Sequence, residues 1–248
     1  MDPLVARLRS AGCVFAEDEA AALREAAHSP EELERMAVRR IAGEPLEQVL
    51  GYADFAGLRL RVAPGVFVPR LRSTLMVDLA AGVLPPGAVV IDLGCGTGAI
   101  GAAVAARIAG AEVWAIDIDP AAVACARLNL PADHVLEGDL FSPLPLGLEA
   151  DAICANAPYV PTGAIATMPP EARDHEHRVA LDGGADGLDI QRRLIAEAPD
   201  WLAPGGTLLV ETSRQQAEAT AALMAAAGLQ PQIHTDAALE GTVVAGQN

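Results

Sequence analysis

Apolar residues follow a helical period through the first 45 or so positions of the chain. They include Leu4, Leu8, Val14, Leu23, Ala27, Leu33, Met36, Val38 and Ile41. Ser29 followed by Pro30 and two glutamates predicts a helix start, because serine caps free backbone N–H groups and acids suit the helix dipole. We therefore expect residues 1–47 to form a small helical domain.

A short segment with alternating apolar and polar residues comes next. The runs LRLRV and VFV are preceded by Gly57 and separated by Pro64-Gly65, which is typical of a β-hairpin or an extended connector. We expect residues 48–70 to be this connector. A helix over about residues 72–82 then begins a larger domain, residues 71–248.

The rest of the chain alternates between apolar runs of strand length and alanine-rich helical stretches. Strands are predicted at residues 88–94, 111–118, 134–139, 150–156 and 205–212. Helices are predicted at residues 99–109, 120–130, 187–201 and 214–227. The alternation predicts an α/β fold with a mostly parallel sheet covered on both faces, and LQPQIHT and TVVAG predict a terminal antiparallel pair.

Composition narrows the class of partner. The 248 residues are 52% hydrophobic, which is enough for one full-sized domain and an appendage. Lys and Arg number 17 against 33 Asp and Glu, and the net charge of −16 disfavours nucleic acid as a direct partner. With neither a membrane-length apolar run nor a signal-peptide pattern, the chain is expected to be cytoplasmic and not bound to a membrane. The four scattered cysteines are expected to be reduced.

A glycine-rich turn follows the first strand of the alternating region. Gly94, Gly96 and Gly98 end a strand and open a helix, so the backbone can approach a ligand while free helix N–H groups point at it. Gly101 also completes a GxGxxG spacing from Gly96, which keeps a dinucleotide-binding fold as a competing interpretation. The turn predicts a nucleotide-like cofactor.

Acidic residues end the next two strands. Asp117 lies 19 residues after Gly98, where a partner for ribose hydroxyls is expected. Asp119 precedes Pro120 and is better suited to cap the next helix. Asp139 ends the third strand and either accepts from an adenine amino group or caps a turn.

The corner Asn156-Ala157-Pro158-Tyr159 follows the fourth strand and carries the predicted chemistry. An amide nitrogen is a poor nucleophile because its lone pair is delocalised into the carbonyl. If the Asn156 side-chain carbonyl and the Ala157 main-chain carbonyl each accept one N–H of a substrate amino group, the lone pair is aimed and growing positive charge is stabilised. Tyr159 can stack on the flat substrate. With the glycine turn upstream, the corner predicts a methyltransferase.

Several segments together make the chain similar to a known family. They are Gly43-Glu44-Pro45-Leu46, residues 62–70 ending in VFVPR, DLGCGTGAI, AIDID, NAPY and RVALDGGADGL. Over nearly its full length the chain resembles the HemK/PrmC-type protein-(glutamine-N(5)) methyltransferases. The resemblance implies a class I S-adenosylmethionine-dependent fold with a Rossmann-like sheet and a substrate-recognition role for the helical domain. It also implies methylation of a glutamine in a translation protein, such as a release factor or a ribosomal protein.

The resemblance also implies roles for individual residues. Asn156, Tyr159 and the Ala157 carbonyl would hold the glutamine amide in the catalytic corner that Pro158 completes, and Arg70 is assigned to the same substrate. The residues assigned to S-adenosylmethionine are Asp92, Gly94, Cys95, Gly96, Thr97, Gly98, Asp117, Ile118, Asp139, Leu140 and Asn156.

Some features depart from the family pattern. The usual Asn-Pro-Pro-Tyr has Ala157 at its second position, which keeps the carbonyl but loses the fixed φ of proline. The PRPxTE segment lacks its acid, His177 stands where proline is common, and the helical domain is short. These differences concern the substrate more than the reaction and indicate a divergent paralogue.

Residues 160–186 form a long, irregular segment rich in Pro and Gly that is expected to wall the substrate pocket. Its Asp174-His175-Glu176-His177 run is not expected to bind a metal, because no second ligand cluster accompanies it. The protein is expected to be a monomer.

Three alternatives stay open. The same corner suits a nucleobase amino group, although the charge of −16 and the lack of a basic stripe weigh against that substrate. In a small-molecule amide or amine methyltransferase, the helical domain would be a lid. A binding protein could also hold the cofactor without turnover.

Overall fold

The computed structural model describes residues 2–248 and begins with four helices. These are α1 (Pro3–Ser10), α2 (Ala16–Ala26), α3 (Pro30–Ile41) and α4 (Leu46–Leu50). The Ser29 hydroxyl accepts a hydrogen bond from the Glu32 N–H at 3.1 Å, so the predicted helix start is confirmed. Leu8 and Leu23 are completely buried in the core that these helices share.

Two of the apolar residues that fit the helical period are not in that core. Val14 is 82% exposed and Val38 is 53% exposed. Val14 lies in the turn between α1 and α2 rather than within a helix, so the helical period does not govern its direction. Val38 lies on the solvent side of α3, because that helix buries Met36, Ala37 and Arg40 instead.

The connector contains the expected hairpin, but only one of its strands, the LRLR run, is a predicted one. Strand β1 (Tyr52–Phe55) pairs antiparallel with β2 (Leu58–Arg61). Ala56 and Gly57 form the turn, both at positive φ. The VFV run lies outside any strand, although Val66 and Val68 are buried. Its alternation therefore reflects burial of an extended segment rather than pairing.

The predicted α/β sheet is confirmed, with seven strands in the order β5-β4-β3-β6-β7-β9-β8. The strands are β3 (Val89–Leu93), β4 (Glu112–Asp117), β5 (Val135–Glu137), β6 (Ala150–Ala155), β7 (Leu202–Glu211), β8 (Gln230–Asp236) and β9 (Gly241–Gln247). The first five are parallel, and β9 runs antiparallel to both of its neighbours. The predicted terminal antiparallel pair is thus β8 and β9.

Helices cover both faces of this sheet. They are α5 (Thr74–Val83), α6 (Ala99–Arg107), α7 (Pro120–Ala126), α9 (Asp189–Glu197) and α10 (Ala217–Ala226). Helix α8 (Pro170–His175) lies in the segment between β6 and α9. Val90 packs with α5, α6 and α7, whereas the next residue, Ile91, packs with α9 and α10. Successive residues of a strand point to opposite faces, which is why β3 is apolar on both faces and carries a single polar residue, Asp92.

All four helices predicted for the alternating region are shorter in the structure. α7 ends at Ala126, and α9 ends at Glu197 before a 3₁₀ turn that contains Pro199. Within residues 2–248, no helix is long and apolar enough to cross a membrane. Cys13, Cys95, Cys125 and Cys154 are all buried and free, as expected for structural thiols.

Candidate active site

A cavity of about 230 Å³ opens at the carboxyl edge of the parallel strands. In doubly wound sheets this edge is where ligands bind, because the loops that leave neighbouring strands converge there. The wall includes every residue assigned to cofactor or substrate except Asp92 and Gly98. Four segments far apart in the chain therefore meet in one place: the glycine turn, the ends of β4 and β5, and the corner after β6.

The glycine turn requires glycine where it faces the cavity. Gly94 has a φ of +64° and Gly96 a φ of +56°, a region that residues with a Cβ rarely adopt. A Cβ at Gly94 would lie 3.8 Å from the Asn156 carbonyl oxygen. The turn and the catalytic corner are therefore neighbours, so a ligand in the turn lies beside Asn156.

Asp92 and Gly98 lie behind the wall and face the protein interior. The Gly101 N–H donates to Asp92 Oδ2 at 2.8 Å, which holds the first turn of α6 against β3. Burial raises the pKa of Asp92 to about 7, with the Asp117 charge adding to the shift. A Cβ at Gly98 would lie 2.8 Å from Leu130 Cδ1, so this glycine serves close packing.

Asp117 lies at the cavity wall with its carboxylate held by two backbone donors. The Gly96 N–H donates to Oδ2 at 2.8 Å and the Asp119 N–H to Oδ1 at 2.9 Å. Each carboxylate oxygen has a second lone pair, so acceptor capacity for ribose hydroxyls is left. Asp119 accepts from the Ala121 N–H at 2.9 Å, which confirms that it caps α7.

The Asp139 side chain is already engaged in this structure. The Arg193 guanidinium of α9 lies 2.6 Å from its carboxylate, and both residues line the cavity. The neighbouring Leu140 has a φ of +50°, and Ile118 is 53% exposed at the rim. An adenine amino group would have to share the Asp139 carboxylate with Arg193.

The backbone of the catalytic corner is held by the glycine-rich residues 183–187 and by Gln216. The Gly183 N–H donates to the Val160 carbonyl at 2.9 Å, and a Cβ at Gly183 would lie 2.7 Å from the Pro158 carbonyl oxygen. Gln216 Nε2 donates to the Tyr159 carbonyl at 3.0 Å. No side chain fits between the two segments at these positions, which explains the glycines of the GGADG run.

Three residues that sequence reasoning missed contact Asn156 and Tyr159; Arg72 and Ser73 line the cavity, and Glu211 does not. Asn156 Nδ2 donates to Ser73 Oγ at 3.3 Å. The Tyr159 hydroxyl lies 3.5 Å from Glu211 Oε1, to which Arg72 Nε donates at 3.3 Å. Glu211 could have been found from the sequence, because it is an acid at the end of the long apolar run of β7.

Burial changes the acid–base behaviour of this cluster. It raises the pKa of Glu211, against the opposing effect of the Arg72 guanidinium and the Tyr159 hydroxyl. Burial and the Glu211 charge raise the pKa of Tyr159 to about 12, so its hydroxyl stays protonated at neutral pH. Glu211 is not on the cavity wall, which places it behind the site rather than against a substrate.

Arg70 lines the cavity, but its guanidinium is bound by a buried carboxylate. Arg70 Nη2 donates to Glu176 Oε1 at 2.7 Å, and the Val68 N–H donates to the same oxygen at 3.0 Å. The guanidinium also lies 4.9 Å from the centre of the Phe67 ring. Arg70 therefore ties Glu176 to the cavity wall, in addition to any contact with a substrate.

Residues 160–186 were expected to be irregular, but the segment contains regular structure. They contain α8 and two 3₁₀ turns, Thr162–Thr167 and Arg178–Ala180. Gln48 Nε2 donates to the His175 carbonyl at 3.3 Å, and His177 pairs with Asp119. Five residues of this segment line the cavity: Val160, Met168, Val179, Ala180 and Leu181. Among residues 2–248 no cluster of His, Cys, Asp and Glu suits a metal ion.

The fold and the site together define the class of protein. A parallel sheet with one antiparallel strand inserted near its edge, a glycine turn after β3 and an acid at the end of β4 are the features of class I S-adenosylmethionine-dependent methyltransferases. The site fits that cofactor, since the positive-φ glycines leave room for close approach and Asp117 keeps free acceptor sites. Gly94, Gly96 and Asp117 would hold it.

Comparisons with known proteins agree with this class and specify the family. The model of the family "Methyltransferase small domain" matches residues 59–168. The release factor glutamine methyltransferase of Geobacter sulfurreducens is 38% identical over 207 residues, which cover 81% of this chain and 72% of that protein. That of Moorella thermoacetica is 40% identical, with 77% and 69% covered. The chain belongs to the release factor glutamine methyltransferase family and is an S-adenosylmethionine-dependent enzyme.

Solved structures support the fold. A 16S rRNA N2 G1207 methyltransferase from T. thermophilus, in complex with AdoMet and guanosine, matches with a TM-score of 0.58 at 22% identity, over 79% of this chain and 49% of that one. A methyltransferase from Pyrococcus furiosus matches with a TM-score of 0.57 at 16% identity, over 86% and 98% of the two chains. At such identities the likeness concerns architecture alone.

Proposed function

We propose that this enzyme transfers a methyl group from S-adenosylmethionine to the side-chain amide nitrogen of a glutamine in a peptide chain release factor. The observation that carries the proposal is the contact between the glycine turn and the Asn156 backbone, which puts cofactor and amide acceptor in one cavity. The relatives named as release factor glutamine methyltransferases support the choice of substrate.

The corner activates the amide by orienting it. Bound S-adenosylmethionine supplies a methyl group on a positively charged sulfonium. Asn156 Oδ1 and the Ala157 main-chain oxygen each accept one N–H of the glutamine amide, which turns the nitrogen lone pair toward the cofactor. Both acceptors also stabilise positive charge that grows on nitrogen. Tyr159, held by Glu211 and Gln216, covers the flat face of the amide.

No general base is needed before transfer. The nitrogen becomes acidic only after it has gained the methyl group, so its proton can then leave to solvent. Tyr159 keeps its proton at neutral pH, because its pKa is about 12. Glu211 is buried and does not line the cavity. The residues of the corner therefore act by position and charge.

We further propose that residues 1–47 recognise the protein substrate and that the enzyme acts in the cytoplasm as a monomer without binding nucleic acid. The net charge of −16 supports the last point, since it repels phosphate backbones. Light scattering at increasing concentration tests the monomer. A nucleic-acid affinity that falls steeply with salt would contradict the proposal that the enzyme does not bind nucleic acid.

The decisive experiment measures transfer of labelled methyl from S-adenosylmethionine to purified release factors of the source organism. The labelled protein is digested and the modified residue is mapped, with the glutamine changed to alanine in a matched substrate. Label on one glutamine that disappears in the matched substrate supports the proposal. Label in the small-molecule fraction of a lysate, with none on release factors, would refute it and point to a biosynthetic methyltransferase.

A further inference from the structure

The Asn129 side chain lies just beyond α7 and contacts two segments that are distant in the chain. Its Nδ2 donates to the Thr97 carbonyl at 2.8 Å and to the Arg61 carbonyl at 2.9 Å, and its Oδ1 accepts from the Arg61 N–H at 2.8 Å. Thr97 belongs to the glycine turn, and Arg61 is the last residue of β2. We propose that Asn129 is a positioning residue that fastens the glycine turn to the connector hairpin and thereby raises the affinity for S-adenosylmethionine.

The three hydrogen bonds fix the orientation of the Asn129 amide. Two backbone carbonyls, which can only accept, face Nδ2, and a backbone N–H, which can only donate, faces Oδ1. A reversed amide would set its oxygen against both carbonyls. The side chain therefore holds Arg61 through both of its backbone groups, as a neighbouring strand would, and its second Nδ2 proton is left for Thr97.

The glycine turn packs directly on the segment that carries Asn129. The Asn129 and Leu130 N–H groups both donate to the Ala126 carbonyl at 2.9 Å, which continues the helical path beyond α7. A Cβ at Gly98 would lie 2.8 Å from Leu130 Cδ1 and 3.3 Å from Ala126 Cβ. Residues three and four apart share one face of a helical turn, so residues 126, 129 and 130 contact the glycine turn together.

Thr97 is the residue through which this contact reaches the cofactor site. It lines the cavity and is only 2% exposed, so water cannot readily replace the Asn129 amide at its carbonyl. The preceding residue is held from another direction, because the Gly96 N–H donates to Asp117 Oδ2 at 2.8 Å. Without Asn129 the turn is free to populate other conformations, and binding then has to restore the one that fits the cofactor.

The hairpin thereby becomes part of the cofactor site, although it precedes the methyltransferase domain. Phe55, the last residue of β1, is 2% exposed and lines the same cavity. The inference goes beyond the proposed function, because it concerns the cofactor side of the cavity and holds for any methyl acceptor.

Calorimetry with S-adenosylhomocysteine measures the effect of Asn129→Ala. We expect the Kd to rise roughly 10-fold or more, since the Thr97 carbonyl loses its donor. In methyl transfer to the release factor, KM for S-adenosylmethionine should rise in parallel while kcat at saturating cofactor stays within about 3-fold. Asn129→Asp keeps an acceptor for the Arg61 N–H but turns a carboxylate oxygen toward the Thr97 carbonyl, so it should bind no better than Asn129→Ala.

Arg127→Ala is the matched control. Arg127 lies in the same segment and donates to the Val135 carbonyl at 2.9 Å and 3.3 Å, and neither residue lines the cavity. Its loss should leave the Kd unchanged. Circular dichroism checks folding, and a variant that does not fold is replaced by Asn129→Ser, which also removes the amide and carries the same expectation.

An unchanged Kd in Asn129→Ala, or normal affinity in Asn129→Asp, would overturn the proposal. An equal rise in Arg127→Ala would overturn it as well, because any loosening of this segment would then weaken binding. A release factor that accepts no methyl group would refute the proposed function instead and would leave the calorimetric comparison intact.

Discussion

The glycine segment that supports the catalytic corner yields a quantitative prediction through Gly187→Ala. Gly187 is buried at a φ of +78°, and a Cβ there would overlap both the Tyr159 carbonyl oxygen and the Gln216 side-chain amide. Gly147 is a matched control, because its φ is +82° but a Cβ would meet nothing within 4 Å. The two variants share the backbone strain and differ in the overlap.

The expected magnitudes follow from these two terms. A left-handed conformation costs a residue with a Cβ about 1–2 kcal/mol, which is the whole effect expected for Gly147→Ala. Gly187→Ala adds about 1–3 kcal/mol of overpacking and about 1 kcal/mol for the bond from Gln216 to Tyr159, which has to move. The added 2 kcal/mol or more corresponds to a melting temperature at least about 4 °C below that of the control.

Thermal unfolding monitored by circular dichroism measures the difference between the variants. Turnover provides a second readout, because Gly187→Ala shifts the Tyr159 backbone and should lower kcat, whereas Gly147→Ala should not. Equal melting temperatures in the two variants would show that the overlap is relieved at no cost. The inference that close packing of residues 183–187 supports the corner would then be wrong.

Four further changes have defined outcomes. Asn156→Ala should lower kcat on the order of 10²–10³-fold in the methyl-transfer assay, with calorimetric cofactor affinity nearly unchanged, since one preorganised acceptor is lost. Asp117→Ala should instead weaken S-adenosylmethionine binding about 10-fold or more in the same calorimetry, and normal affinity would contradict the ribose assignment. Glu176→Ala should lower the free energy of unfolding by about 1–3 kcal/mol in urea titrations, because its buried carboxylate accepts two hydrogen bonds, while Asp174→Ala in the same segment breaks only an exposed pair and should change nothing measurable. The pKa of Asp92 is raised from 3.8 to about 7, so the folded chain binds this proton more tightly than the unfolded chain. The contribution of Asp92 to stability is therefore full below pH 3.8 and is lost as pH rises through 7, a loss of about 4 kcal/mol. Asp92→Asn should remove this part of the pH dependence, and an unchanged pH profile of unfolding would contradict the buried, protonated state.

The sequence by itself determined the elements and the class of chemistry. Apolar runs at strand length are a local property, and all five predicted parallel strands are present within a few residues of their expected bounds. The glycine turn and the corner are equally local, because positive φ and an Asn-x-Pro-Tyr turn depend on adjacent residues. Both follow parallel strands, and the carboxyl ends of such strands meet at one edge of a sheet.

Only the tertiary structure decided which side of an element each residue occupies and which distant residues meet. The period of the N-terminal helices suggested Val14 and Val38 as core residues, yet both are exposed, because burial depends on where neighbouring helices pack. Asp92 lies within the cofactor motif but faces α6, since alternate strand positions point to opposite faces. No local pattern links Asn156 with Ser73 or Tyr159 with Glu211; these contacts exist because separate segments converge where the parallel strands end.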